Sequence, residues 1–253
     1  MNKLSLPGRT KPYLMAHRGN RVVCPENTLA AFSRAFLEGA DMLETDLHLS
    51  ADEVFMCIHD GTVDRTTNGT GAVSKKTLAE LKSLSASNGF AGFEEQRIPT
   101  LKETLSILPA DAGLALELKT DRFLEREVCL RLVQELRDAG VLARTIVLSF
   151  SLPRLQSVKA VEPTLPIGWI TMTRISPHPQ PEVLGPFWPA LFLNPFFVRK
   201  AHQRQQLVCP LDPKPDSRLS YYKKLGCDAL VSDDPGATRE ALNRISYKIS
   251  DND

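Results

Sequence analysis

The sequence is poor in the features that mark several protein classes. Its five cysteines, Cys24, Cys57, Cys129, Cys209 and Cys227, are odd in number and scattered through 253 residues, with no CxxC pair and no close Cys/His spacing. That pattern argues against a zinc ribbon and a disulfide scaffold. No apolar run reaches the roughly 18 residues of a membrane span. The opening MNKLSLPGRTKPYLMAHRG is basic but has no apolar stretch of signal-peptide length, so a cytoplasmic protein without a membrane span is expected. Neither charge sign is in excess, with Lys+Arg 31 against Asp+Glu 30. A nucleic-acid partner is therefore not expected, and any anion would be bound locally. Internal repeats, low-complexity tracts and an interdomain linker are also lacking. What remains is a globular composition, 42% hydrophobic and 24% charged, at the length of about 250 residues typical of one (β/α) barrel.

Short apolar, β-branched runs alternate with amphipathic stretches, the pattern of strand and helix units around a parallel sheet. Strands are expected at Tyr13 to Ala16, Met42 to Leu49, Val54 to Ile58, Gly113 to Leu118, Thr145 to Phe150, Ile167 to Thr171, Leu191 to Leu193, Leu207 to Leu211 and Ala229 to Ser232. These are nine candidates for eight places. Only Ser50 to Glu53 separates the second from the third, too short for a helical crossover, so one of the two pairs outside the regular order. Helices are expected over Thr28 to Glu38, Phe123 to Ala139 and Pro153 to Val161, where apolar residues recur at three- and four-residue spacing. Asn27 or Thr28 can cap the first, and Gly39 can end it. Residues 61–99, rich in Gly, Ser, Thr and Asn, break the rhythm and hold one short helix near Lys75 to Leu84. They read as an insertion within a single domain spanning 1–253, bordering whatever His59 and Asp60 do. The polar tail from Ser246 to Asp253 is expected to fray.

Chemistry-bearing residues gather where apolar strands end. His17-Arg18-Gly19 supplies a proton carrier, a guanidinium that can fork onto a phosphate, and a residue that permits close backbone approach. By itself it also fits a surface basic pair beside a turn. Glu44 and Asp46 stand two apart in a strand and project to one side, where two carboxylates repel unless a cation lies between them. Metal binding is the natural inference, with an exposed strand face of alternating acids as its alternative, and His48 continues that alternation. His59 closes the run VFMCIHD, and Asp60 can orient its ring or cap the turn. Glu117 and Lys119, again two apart, offer a third carboxylate and an ammonium.

HRG followed by PENT (Pro25 to Thr28), ETD (Glu44 to Asp46), IHDGTVDRTTNGTG (Ile58 to Gly71), IPTL (Ile98 to Leu101) and ELK (Glu117 to Lys119) resembles the glycerophosphodiester phosphodiesterases of bacterial cytoplasmic type. The similarity continues more loosely to GCDALVSDDP (Gly226 to Pro235). The resemblance implies an α/β fold, a TIM-type (β/α)8 barrel with a small insertion after the HD strand. It further implies hydrolysis of a small-molecule glycerophosphodiester to glycerol 3-phosphate and an alcohol. By motif, His17 and His59 would transfer protons, Arg18 and Lys119 would bind the phosphate, and Glu44, Asp46 and Glu117 would hold a divalent cation, Mg2+ or Ca2+. Glu26 and Asp60 would stand behind them. One departure is VCPLDPKP (Val208 to Pro215), where the family often carries an aromatic-Thr-Val-Asn or Asp signature; Asp212 is a candidate for its final position, and Trp169 for an aromatic wall.

Three rival readings keep parts of this picture. A lysophospholipid or other diester substrate would use an apolar groove, to which Gly185 to Phe197 could contribute, although a buried strand explains that run more simply. A non-catalytic phosphate-binding barrel would have no need of two proton carriers. A glycosidase is disfavoured because Glu44 and Asp46 lie too close in sequence to flank a sugar bond. The head group, the choice between water and the glycerol 2-hydroxyl as nucleophile, and the oligomeric state stay open in the sequence.

Overall fold

The computed structural model describes residues 5–250, with side chains to residue 245. Nine strands form among the described residues: β1 Tyr13–His17, β2 Met42–Leu49, β3 Phe55–Cys57, β4 Gly113–Leu118, β5 Thr145–Ser149, β6 Ile167–Thr171, β7 Val183–Pro186, β8 Leu207–Val208 and β9 Ala229–Ser232. Eight of them run parallel in the order β8-β7-β6-β5-β4-β2-β1-β9, giving a nearly closed TIM-type barrel. The seam lies between β8 and β9. There the backbone N–H of Asp228 donates to Val208 O at 2.8 Å, and the Asp228 carboxylate accepts from Val208 N at 2.8 Å. The ninth strand resolves the crowding read from the sequence, because β3 pairs antiparallel with β2, Leu47 opposite Cys57, outside the barrel.

Strand alternation sorts the side chains into two layers. Leu43 and Leu47 of β2 and Leu114, Leu116 and Leu118 of β4 pack outward in one apolar cluster with helix residues such as Leu132 and Leu155. The alternate residues Met15, Met42, Ala115, Ile146 and Val231 fill the interior in a second cluster. The polar residues His17, Glu44, Asp46 and Glu117 occupy that inward phase near the C-terminal strand ends.

Outside lie helices α1 Leu29–Leu37, α2 Leu78–Ser83, α3 Leu101–Ser106, α4 Arg126–Asp138, α5 Leu152–Val161, α6 Pro189–Leu193, α7 Phe197–Gln203, α8 Leu219–Leu225 and α9 Pro235–Ser250. Thr28, not Asn27, caps α1, its hydroxyl accepting from Ala31 N. The strand expected at Leu191 to Leu193 is instead the end of α6, and the sheet strand in this part of the chain is β7. Pro189 explains the difference: at the first helical position its missing N–H costs nothing, whereas in a strand ladder it would remove a bond. Nor is the run Gly185 to Phe197 a buried strand, since Phe192, Leu193 and Phe196 are exposed. The strand expected over Leu207 to Leu211 regularly pairs only through Val208, with an isolated bridge from Leu211 to Phe187.

Residues 61–99 carry α2 and a small core in which Val63, Val73, Leu81 and Ile98 pack on Met56 and Ile58. The tail expected to fray from Ser246 is helical through Ser250, and residues 251–253 lie outside the described residues. No helix among the described residues is long and apolar enough to cross a membrane.

Candidate active site

Register brings the acids together. β1 pairs with β2 so that His17 lies opposite Glu44, and β2 pairs with β4 so that Asp46 lies opposite Glu117. Glu44, Asp46 and Glu117 are all buried, and each offers an oxygen within 4.8 Å of the others. Burial, then the charges of Asp46 and Glu117, pushes the Glu44 carboxyl well above the usual carboxylate range. Glu117 is raised by burial and by Asp46. Lys119 offsets part of this repulsion, its Nζ lying 3.0 Å from Glu117 Oε1 and 3.6 Å from Asp46 Oδ1. Asp46 Oδ1 nevertheless has no hydrogen-bond partner although it is buried. A buried, unsatisfied carboxylate oxygen beside two further acids is the donor set that a hard cation satisfies, so these residues fit a metal.

The loop after β1 wraps the cluster. Arg18 and Asn27 adopt left-handed backbone, φ 59° and 52°, and the Arg18 N–H donates both to Glu44 O at 3.0 Å and to Glu44 Oε2 at 3.1 Å. At Gly19, with φ 83°, a Cβ would come within 2.5 Å of the Ala31 backbone, so only glycine lets α1 pack so close. Asn27 Nδ2 donates to Asp46 Oδ2 at 2.9 Å, and Thr45 Oγ1 donates to Asn27 Oδ1 at 2.7 Å, which fixes the Asp46 carboxylate from behind. The Arg18 guanidinium lies between two acids, Nη1 at 2.9 Å from Glu26 Oε1 and Nε at 3.2 Å from Asp46 Oδ2.

Glu26 is a buried hub that also receives Arg21 and Arg65, at 2.9 and 2.8 Å. Its burial would raise it, but the hydrogen bond from Arg65 and the charges of Arg18, Arg21 and Arg65 together lower it to about 2.

Each histidine is held by an aspartate. His17 Nδ1 and Asp233 Oδ1 are 2.6 Å apart, as are His59 Nδ1 and Asp60 Oδ1. With the carboxylate accepting from Nδ1–H, Nε2 of either ring is left to exchange a proton. Burial holds the His59 imidazole below its ordinary value. Asp60 is itself gripped by Arg65, whose hydrogen bond is the largest cause keeping it below the usual carboxylate range. His48 is no part of the acid cluster: its Nε2 lies 3.2 Å from the carbonyl oxygen of His59.

A cavity runs from His17, Glu44 and Glu117 into the barrel, walled by apolar residues including Ile146, Ile170 and Val231 and by Val208 to Leu211. The Asp212 carboxylate instead accepts from Arg218 Nε at 2.6 Å, Arg218 Nη2 at 2.8 Å and Tyr222 Oη at 2.5 Å. It latches the segment after β8 to α8. Trp169 Nε1 donates to Phe150 O at 3.0 Å, placing the indole near the chain that leaves β5.

A model of the glycerophosphoryl diester phosphodiesterase family matches residues 17–237. The chain belongs to that family. Among other members, it is 34% identical over 236 residues to the glycerophosphodiester phosphodiesterase of Caldanaerobacter subterraneus subsp. tengcongensis, covering 89% of this chain and 95% of that one. A phosphodiesterase of Oleispira antarctica, solved in complex with the product sn-glycerol-3-phosphate, matches with a TM-score of 0.80 at 29% identity, covering 92% of this chain and 97% of that chain. The glycerophosphodiester phosphodiesterase of Agrobacterium tumefaciens gives 0.78 at 26% identity, covering 89% and 98%.

In this family member the residues read from the motifs fall into two groups. Glu44, Asp46, Glu117, Lys119, Arg18 and Glu26 form one contact network, while His17 and His59 are each held by an acid that Arg21 or Arg65 links to Glu26. Asp233, Asn27, Arg21 and Arg65 were not singled out for the site. Asp233 sits one residue beyond β9 in the SDDP string, and an acid directly after a barrel strand is the signal that could have found it.

Proposed function

We propose that the chain hydrolyses glycerophosphodiesters to glycerol 3-phosphate and an alcohol such as choline or ethanolamine, with His17 and His59 dividing the proton transfers. Glu44, Asp46 and Glu117 would hold a divalent cation. The all-oxygen donor set supports Mg2+ or Ca2+ over softer metals. When bound, that cation would supply Lewis-acid stabilisation of the charge that grows on the phosphate oxygens.

The observation that carries the reading is the buried triad of carboxylates within 4.8 Å, one oxygen lacking a hydrogen bond, together with two aspartate-held histidines, His17 at the end of β1 and His59 just past β3. The other residues do work that this arrangement requires. Asp233 and Asp60 fix the tautomer and orientation of the two rings, so that Nε2 of each is left to exchange a proton. Burial disfavours the charged form of His59, which favours a ring able to accept a proton. Arg18, set in position by Glu26, and Lys119 supply positive charge for the phosphate. Apolar walls of the cavity lower the local dielectric, in which those charges act more strongly.

The test is direct. Purified protein with Mg2+ or Ca2+ should release glycerol 3-phosphate from glycerophosphocholine or glycerophosphoethanolamine, and His17→Ala should lower the rate by about 10²- to 10⁴-fold. No release from either substrate, together with no effect of the substitution, would overturn the reading.

A further inference from the structure

Exposed apolar side chains are gathered at one end of the barrel. Among the described residues ten large apolar side chains are exposed, and all except Leu37 stand in connections leaving the C-terminal ends of barrel strands. Six of them, Phe150, Met172, Ile175, Phe192, Leu193 and Phe196, follow β5, β6 and β7. Leu193 is 73% exposed and Phe196 58%. A monomeric soluble protein rarely gathers such side chains in neighbouring loops without an interaction to explain them.

These connections are braced against each other. Asn194 Nδ2 donates to Ile175 O at 2.8 Å, tying the chain after β7 to the chain after β6. Phe192 stacks on Tyr221 at 4.3 Å, and the Tyr221 hydroxyl donates to Leu191 O at 2.8 Å. The apolar tips thus stand on a formed surface.

Charge indicates what covers it. Between Met172 and Arg204 the sequence carries Arg174, Arg199, Lys200 and Arg204 against a single carboxylate, Glu182, and Glu182 is bound by Lys159. None of the four cations makes an ion pair among the described residues. Arg174, Lys200 and Arg204 line one concave surface with Ser176, Pro177 and Gln203. Apolar tips beside unpaired cations suit the boundary between acyl chains and anionic headgroups. A second copy of the chain suits this face less well, because a two-fold contact would set the same cations against one another.

We propose that this rim docks the protein reversibly on an anionic phospholipid surface, with Leu193 and Phe196 entering the interface and Arg174, Arg199 and Lys200 meeting the headgroups. Docking this way presents the end of the barrel that carries the carboxylate cluster to the lipid. Binding is measured apart from turnover, so the proposal stands or falls independently of the substrate.

The experiment is co-sedimentation of the full chain with phosphatidylcholine vesicles and with vesicles of phosphatidylcholine mixed with phosphatidylglycerol. Binding is expected on the anionic vesicles alone, weakening as salt is raised. The only two tryptophans, Trp169 and Trp188, adjoin the rim, so their emission should shift to the blue on those vesicles. The double variant Leu193→Ser, Phe196→Ser should lose about tenfold or more in partitioning, and Arg199→Gln, Lys200→Gln should lose the preference for anionic lipid. Both should keep the parent's turnover of soluble glycerophosphocholine and its thermal midpoint. No binding to the anionic vesicles, or equal binding by parent and apolar variant, would overturn the proposal. So would a dimer in size exclusion that the apolar variant dissociates, because a second copy would then cover the rim.

Discussion

At the scale of single residues, most of the site is a set of charges that only make sense in pairs. Glu44, Asp46 and Glu117 announce themselves because strand alternation forces acids two apart onto one side, and the same argument exposes Lys119 beside Glu117. Their partners were harder to read. His17 and Asp233 are separated by 216 residues, and no local pattern ties a histidine after the first strand to an acid after the last. Asn27 was hidden by its position before α1, where it resembles a cap, whereas its left-handed backbone aims the amide at Asp46. Asp233 acts through His17, and this can be tested. Asp233→Asn should lower kcat by about 10²-fold or more while leaving KM for glycerophosphocholine nearly unchanged, and Asp233→Glu should recover part of the loss. A merely structural aspartate would instead move KM and the thermal midpoint together.

At the scale of elements, the long parallel strands were plain and the irregular pieces were not. Met42–Leu49, Gly113–Leu118, Ile167–Thr171 and Ala229–Ser232 have the bounds that their apolar runs suggest. The β7 region failed because Val183 to Pro186 holds two apolar residues followed by Gly-Pro, while the richer run nearby begins at Pro189 and turns helical. The connection after β1 illustrates a different limit. Glu26, in the PENT string, is the knot that ties this loop to residues 61–99 through Arg65. Its folded value is depressed from the ordinary carboxylate value to about 2. A depressed carboxylate stabilises the fold above its unfolded value and loses that contribution as pH falls toward the folded one. The parent should therefore lose stability from about pH 4.5 downward. Glu26→Gln should be less stable at neutral pH by roughly 3 to 5 kcal/mol, with a flatter dependence at low pH. Urea midpoints taken from pH 7 to pH 3 check this, and parallel curves for the two proteins would contradict it.

At the scale of the whole molecule, the barrel separates stability from chemistry. The outward layer of β2 and β4 is leucine-rich and packs on α4 and α5, so it can hold the strands in register without reference to the site. The inward layer is apolar toward the N-terminal strand ends and acidic toward the other. The register pairs His17 with Glu44 and Asp46 with Glu117, which brings three sequence motifs, HRG, ETD and ELK, into one site. This much was legible from the order of motifs. The seam at Asp228 and the apolar rim after β7 depend on which distant segments meet, and the near-neutral net charge conceals Arg174, Lys200 and Arg204, none of them in an ion pair among the described residues, around one concave surface.

The central claim is that Glu44, Asp46 and Glu117 hold the cation on which turnover depends. Protein stripped with EDTA should release no glycerol 3-phosphate from glycerophosphocholine, and titration with Mg2+ or Ca2+ should restore release. Asp46→Asn should require at least about tenfold more cation for half activation. Full turnover by the stripped protein, or an unchanged activation curve for Asp46→Asn, would contradict the account.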